Sequence, residues 1–217
     1  MNRLTTVCIA GLGLLISGCA SDSSTPSARP VPEKAENVKP LAEGDSVPAV
    51  TLRTPSAEPV NLAKVIAEKP TLIVFYRGGW CPYCNTHLAG LAKIQPELVE
   101  MGYQIVAISP DRPAELTETA AGQKLDYQLL SDSDVQAARA FGLAFRVEDE
   151  LVSKYLNEYQ IDLEAASGRD HHVLPVPAVY LVDTDGTIRF AHVDPNYRDR
   201  LSAERILAVA RENRPVD

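Results

Sequence analysis

The stretch Thr71-Leu72-Ile73-Val74-Phe75-Tyr76-Arg77-Gly78-Gly79-Trp80-Cys81-Pro82-Tyr83-Cys84 decides the fold. Its first six residues are a continuous β-branched and aromatic run, the pattern of a strand buried on both faces. The Arg77-Gly78-Gly79-Trp80 segment then turns the chain. Pro82 fits the first turn of a helix, where its missing N–H is harmless. Leu88, Leu91, Ala92, Ile94 and Leu98 give a helix over Pro82 to Met101 its apolar face, with a kink predicted at Pro96 and a stop at Gly102. Cys81 therefore sits at the positive end of a helix, facing unsatisfied N–H groups that favour its thiolate and lower its pKa. Cys84, one turn on, lies on the same face and close enough to close a disulfide. Together they form a dithiol switch in which one sulfur attacks and the other resolves.

Outward from this unit, Asp45 to Leu62 has the short alternations and prolines of an entry hairpin or edge strands. Tyr103 to Ile108 is a second buried strand, Pro113 to Ala121 a short helix and Tyr127 to Leu130 a short strand. Asp134 is placed to cap a helix running to about Phe141. Leu151, Val152, Tyr155, Leu156 and Tyr159 form one stripe of a helix over Glu150 to Tyr159, read as core or a dimer contact. Val179 to Asp183 and Thr187 to His192 are strands joined by an Asp185-Gly186 hairpin turn, and Ser202 to Glu212 closes the chain as a helix. Alternating strands and helices around two central apolar strands specify an α/β fold, and the final hairpin makes its central sheet mixed.

The chain has 217 residues, with 45% hydrophobic and 23% charged, proportions that exclude a disordered, collagenous or multi-pass membrane protein. Its 21 Lys and Arg against 29 Asp and Glu leave a net charge of −8, with no basic cluster of the kind that neutralises phosphates. A nucleic-acid partner is therefore not expected. No nicotinamide, flavin or nucleotide fingerprint is present, so no cofactor is expected.

The strand–loop–Cys-x-x-Cys–helix unit, the Pro96 position and the proline before the last hairpin resemble the thioredoxin superfamily. More narrowly, Phe75 to Cys84, Ala107-Ile108-Ser109-Pro110, Leu130-Ser131-Asp132, Ala140-Phe141-Gly142 and Val176-Pro177-Ala178 with Asp185-Gly186 resemble peroxiredoxin-like proteins of the alkyl hydroperoxide reductase and thiol-specific antioxidant family. The resemblance runs through roughly residues 44–212. It implies a thioredoxin-like fold with helices flanking a central mixed sheet, a cis Pro177 packed against the active cysteines, Cys81 as the attacking cysteine and Cys84 as its resolving partner. Arg77, Gly78, Gly79, Trp80, Pro82 and Pro177 would shape the site, with Trp80 shielding it. The implied substrate is hydrogen peroxide or an organic hydroperoxide, reset by an outside dithiol reductant.

Two positions depart from the family pattern. Typical members carry Thr or Ser three residues before the attacking cysteine, where this chain has Gly78, and an arginine late in the chain, where it reads Pro-Val-Pro-Ala-Val-Tyr. Arg77 and Arg146 are the candidates to supply the missing charge. Cys-Pro-Tyr-Cys is also the dithiol sequence of glutaredoxins, so a periplasmic reductase of protein disulfides stays open as an alternative. Two further readings are an inert structural disulfide and a copper or zinc carrier drawing ligands from His87, His171, His172 or His192. No metal site is assigned, and the segment 143–175 is an insert of unassigned role.

At the N-terminus, one charge at Arg3 precedes the apolar run Val7 to Ile16, which is short for a membrane span and reads as a signal peptide over residues 1–18. Ile16-Ser17-Gly18-Cys19 resembles the lipobox of bacterial lipoproteins. That implies cleavage before Cys19, lipid attachment at Cys19 and, with Ala20 next, an outer-membrane location on the periplasmic face. Residues 19–43, rich in Ser, Pro and charge, are expected to be the lipidated N-terminus and a disordered tether. The folded domain is expected over residues 44–217, with Cys81 and Cys84 as its two thiols and a homodimer as a possible assembly.

Overall fold

The computed structural model describes Met1 and residues 30–214; Cys19, all but the first residue of the signal, and residues 20–29 of the tether lie outside the described residues. The buried run that decides the fold becomes a strand, β3 (Thr71–Phe75), with every residue buried. It lies near the middle of a seven-stranded mixed sheet of order β2-β1-β5-β4-β3-β8-β9. β4 (Gln104–Ser109) and β5 (Gln128–Ser131) continue parallel to it. β8 (Ala178–Val182) and β9 (Ile188–Val193) form the antiparallel hairpin on one side, while β1 (Thr51–Arg53) and β2 (Pro59–Asn61) close the other.

Alternation along β3 builds two cores. Ile73 and Phe75 face a layer containing α1 (Leu62–Glu68) and α4 (Gln136–Ala140), where Phe75, Phe141 and Tyr180 stack their rings. Leu72, Val74 and Tyr76 face the opposite layer, made of α2 (Pro82–Glu100), α3 (Pro113–Gln123) and α7 (Ala203–Glu212). Both cysteines belong to this second core. The thioredoxin-like fold thus follows from strands apolar on both faces, which must be covered by helices on each side.

Pro96 lies inside α2, which ends at Glu100 with Gly102, at φ 90, just beyond it. Other local expectations change. Asp134 does not cap α4: the N-cap residue is Val135, and the buried side chain of Asp132 accepts from the N–H groups of Ala137 (2.9 Å) and Ala138 (2.8 Å), while Asp134 pairs with Arg169 at 2.7 Å. Val176–Pro177 is not cis, since no cis peptide bond occurs among the described residues. The chain passes extended from β7 (Val173–Pro175) into β8, a geometry the trans bond serves directly.

Residues 30–43, expected to be disordered, pack along the domain. Leu41 is buried and its N–H donates to Phe141 O at 3.0 Å, and Arg146 N–H donates to Pro32 O at 2.8 Å. The insert at 143–175 also has its own order. β6 (Ala144–Arg146) pairs antiparallel with β7, and between them α5 (Asp149–Tyr159) and α6 (Leu163–Ser167) fold over the loop preceding Cys81. Val147, Tyr155, Leu163 and Leu174 make a small core there, against which Trp80 packs.

Candidate active site

β3 delivers the chain to the C-terminal end of the parallel strands, and Tyr76 to Trp80 carry it to the start of α2. Cys81 is the N-cap residue and Pro82 the first helical residue. Cys81 N–H donates to Gly78 O at 3.1 Å, which closes the turn. The two glycines are demanded by packing. Gly78 sits at φ 151, and a Cβ there would come within 2.2 Å of Trp80 Nε1 and 2.8 Å of Asp111 Oδ1. A Cβ on Gly79 would stand 2.0 Å from Thr119 Oγ1. The position where the resemblance implies Thr or Ser is therefore already filled by neighbouring side chains.

Asp111, in the loop after β4, fastens this turn from below. Its Oδ2 accepts from Gly79 N–H at 2.8 Å and from Ser109 Oγ at 3.1 Å. Burial raises its pKa to about 7, against the opposing effect of these hydrogen bonds. Asn85 Nδ2 donates to Gly79 O at 2.7 Å and holds the turn from the helix side.

Both thiols are free and buried, Cys81 2% exposed and Cys84 fully covered. Hydrogen bonding from the Cys84 thiol is the largest influence on Cys81 and lowers its pKa to about 6; burial opposes it, and the Cys84 N–H, Arg77 and Arg200 assist. The sulfur makes no capping bond of ordinary geometry, so the helix end acts on it mainly as a field. Cys84 moves the other way: burial, then its bond to Cys81, push its pKa well above the usual thiol value. Environment separates two identical side chains into one anionic at neutral pH and one protonated.

Two arginines flank the pair. Arg77 is buried, bonded through Nη2 to the Tyr155 hydroxyl, and boxed by aromatic rings, with its guanidinium carbon 4.3 Å from the centre of Tyr197, 5.3 Å from Trp80 and 5.6 Å from Tyr155. Its Nε is buried without a partner. Arg200, in the loop between β9 and α7, places Nη2 3.5 Å from Cys84 Sγ. Arg77 lies near enough for its charge to lower the Cys81 pKa. Arg146 instead pairs with Asp149 at 3.2 Å, and Arg200 was missed because no motif or period marks a loop arginine 116 residues from the sulfur it touches. Tyr155 was read as core or a dimer contact; it turns inward to Arg77, while Leu156 and Tyr159 stay exposed. Pro177 lines a cleft of about 410 Å³ with Arg77, Tyr155 and Tyr197.

The histidines do not gather around the thiols. His171 uses both ring nitrogens on backbone groups, Nε2 with Ser133 O (3.0 Å) and Nδ1 accepting from Val173 N–H (2.9 Å), and His172 meets Glu164 at 2.9 Å. Among the described residues, no group of three or more His, Cys, Asp or Glu side chains is placed to hold a metal ion.

A thiolate at the start of a helix that follows a central strand of this sheet defines a thioredoxin-fold thiol enzyme, and comparison with known proteins specifies it. Residues 44–191 match the AhpC/TSA family, and the chain belongs to it. Peroxiredoxin Bcp of Escherichia coli strain K12 is 33% identical over 106 residues, 49% of this chain and 67% of that protein. The crystal structure of peroxidoxin BcpB from Mycobacterium tuberculosis superposes with a TM-score of 0.62 at 20% identity, covering 81% of this chain and 99% of that one. Reduced Prx3 from Vibrio vulnificus gives 0.64 at 18%, covering 79% and 99%. The chain is a Bcp-like peroxiredoxin by family, and its relatives point to a thiol peroxidase.

Proposed function

We propose that this protein reduces hydrogen peroxide or organic hydroperoxides with Cys81 as the attacking thiolate and Cys84 as the resolving thiol. The observation that carries the reading is the opposed environment of the two sulfurs, Cys81 held anionic and Cys84 held protonated one helical turn away. The Cys81 thiolate attacks the terminal peroxide oxygen, the O–O bond breaks, and the alkoxide or hydroxide leaves with a proton. The resulting sulfenic acid condenses with the Cys84 thiol, forming the S–S bond and releasing water. A dithiol or two thiols then return both electrons by exchange.

Arg77 and Arg200 supply the positive charge that typical members draw from a late arginine, and Arg77 adds an unsatisfied Nε–H that a peroxide oxygen can accept. The reading is tested by stopped-flow fluorescence of Trp80, the only tryptophan, on mixing reduced protein with peroxide. A second-order rate far above that of a free thiol, lost in Cys81→Ser, supports it. A rate equal to free cysteine removes the peroxide reading.

We also propose that Cys19 carries lipid and tethers the domain to the periplasmic face of a bacterial outer membrane. Support comes from the apolar run ending in Ile16-Ser17-Gly18-Cys19 and from Ala20 after it. Incorporation of labelled fatty acid by the full chain, and its loss in Cys19→Ala, is the expected result. Equal labelling of both removes the anchor.

A further inference from the structure

Two of the clefts near the dithiol each hold one of its flanking arginines. The Arg77 cleft is lined by Arg77, Tyr155, Pro177 and Tyr197. The other, about 610 Å³, lies between the first turns of α2 and the loop joining β9 to α7, with Tyr83, His87, Arg198 and Arg200 among its walls. Tyr197 belongs to the first and Tyr83 to the second, and their rings meet edge to face at 5.6 Å. This aromatic pair stands between the two.

Three features set the chemistry of the second cleft. Arg200 reaches from it to Cys84 Sγ, so the cleft adjoins the dithiol. In a chain of net charge −8, Arg198 and Arg200 form no ion pair among the described residues, and Asp199, the carboxylate between them in the same wall, accepts instead from Asn196 Nδ2 at 2.7 Å. His87 is held neutral, its pKa lowered to about 4 by burial and then by Arg200, against the opposing effect of the Leu201 backbone. Its Nε2 is buried with no partner.

We propose that this second cleft binds a small thiol bearing carboxylates, which reduces the Cys81–Cys84 disulfide. The proposal rests on the dithiol reading above and supplies the chemistry of its reductant. The ligand's carboxylates face Arg198 and Arg200. Its thiolate attacks one sulfur of the disulfide, forming a mixed disulfide as the other sulfur leaves and takes a proton. A second thiol displaces the first, so two thiols are oxidised to one small disulfide while the protein gains two electrons and two protons. The cleft volume is that of a small-molecule site, on the order of 300–1,000 Å³. A folded reductant would need roughly 800 Å² on its own side, and Tyr83 is the only large apolar side chain of this cleft that is exposed among the described residues.

The test oxidises the full chain with diamide, verifies the Cys81–Cys84 disulfide by mass spectrometry, and follows its reduction through Trp80 fluorescence. Glutathione, neutral mercaptoethanol and cationic cysteamine are compared at equal thiolate concentration. The expected order is glutathione fastest and cysteamine slowest, with the glutathione-to-mercaptoethanol ratio falling about fivefold in Arg198→Ala. The same ratio in the unsubstituted protein should fall as sodium chloride is raised, because salt screens exposed charge. A disulfide that forms normally but shows no preference for glutathione overturns this proposal alone. A disulfide that does not form overturns the dithiol reading and this proposal with it.

Discussion

The guanidinium of Arg77 donates to the hydroxyl of Tyr155, joining the loop before Cys81 to the middle of helix α5 in the insert. This bond gives the insert a role: it fixes a buried cation beside the thiolate. Removing the charge by Arg77→Met should raise the Cys81 pKa by about one unit, the scale of a nearby opposite charge. Tyr155→Phe keeps the ring contacts with Arg77 and Trp80 and loses the hydroxyl, so its shift should be smaller and in the same direction. Thiolate absorbance against pH measures both. No change in either variant would show that Arg77 does not act on Cys81.

The lowered Cys81 pKa also fixes the pH profile. With the thiol titrating at about 6, the peroxide rate should rise with pH through that value and level off above about 7, since the thiolate is then saturated. A profile still climbing at pH 8 would mean an ordinary cysteine. Because the Cys84 thiol is the strongest support of that thiolate, the two substitutions at this position should separate. Cys84→Ser retains an O–H donor and should keep the fast first step while accumulating the sulfenic acid, read by a dimedone adduct. Cys84→Ala loses the donor and should move the rate profile to higher pH.

What the sequence made legible here was whatever is written locally. The buried run at Thr71–Phe75, the Cys-x-x-Cys pair at a helix start and the Asp185-Gly186 turn each combine residue type with position, and the structure places all three as read. The N-terminus of α4 is served by the side chain of Asp132 and not by Asp134, although both are good capping types, and only burial distinguishes them. Residues 30–43 look disordered by composition, yet Leu41 finds a place in a core made by other segments. Arg200 could not be found at all, and Tyr155, legible as a core position of its helix, gave no sign of its bond to Arg77, since the partners of both are distant in the chain. The trans bond at Pro177 shows the limit of resemblance, which carried a family habit onto a chain that passes extended at that point.

Glycine at position 78 is expected to be irreplaceable, even by the residue that related proteins carry. Gly78→Thr would restore the family pattern in sequence, yet its Cβ would meet the Trp80 ring at 2.2 Å and Asp111 at 2.8 Å, on a backbone at φ 151 that side chains rarely adopt. The expected result is a displaced Trp80, an altered fluorescence spectrum and a loss of about 2 kcal/mol or more of stability in urea denaturation. A stable, more active variant would show that the loop has another conformation able to take the side chain.

Asp111 sets a pH dependence of stability with its own sign. Burial raises its folded pKa to about 7 from an ordinary 3.8, so between these values the unfolded chain gives up a proton that the folded protein keeps. Stability from this group is full below pH 4 and is lost as pH rises toward 7, at most about 4 kcal/mol. Asp111→Asn preserves a side-chain oxygen to accept from Gly79 N–H and cannot ionise. The variant should therefore gain stability relative to the unsubstituted protein as pH rises from 4 to 7, measured by urea denaturation at each pH. The comparison between the two proteins removes the opposite trend from Cys81, whose lowered pKa adds stability as pH rises above 6. A difference that stays constant across this range would mean that Asp111 is ionised throughout, held so by Gly79 and Ser109 against its burial.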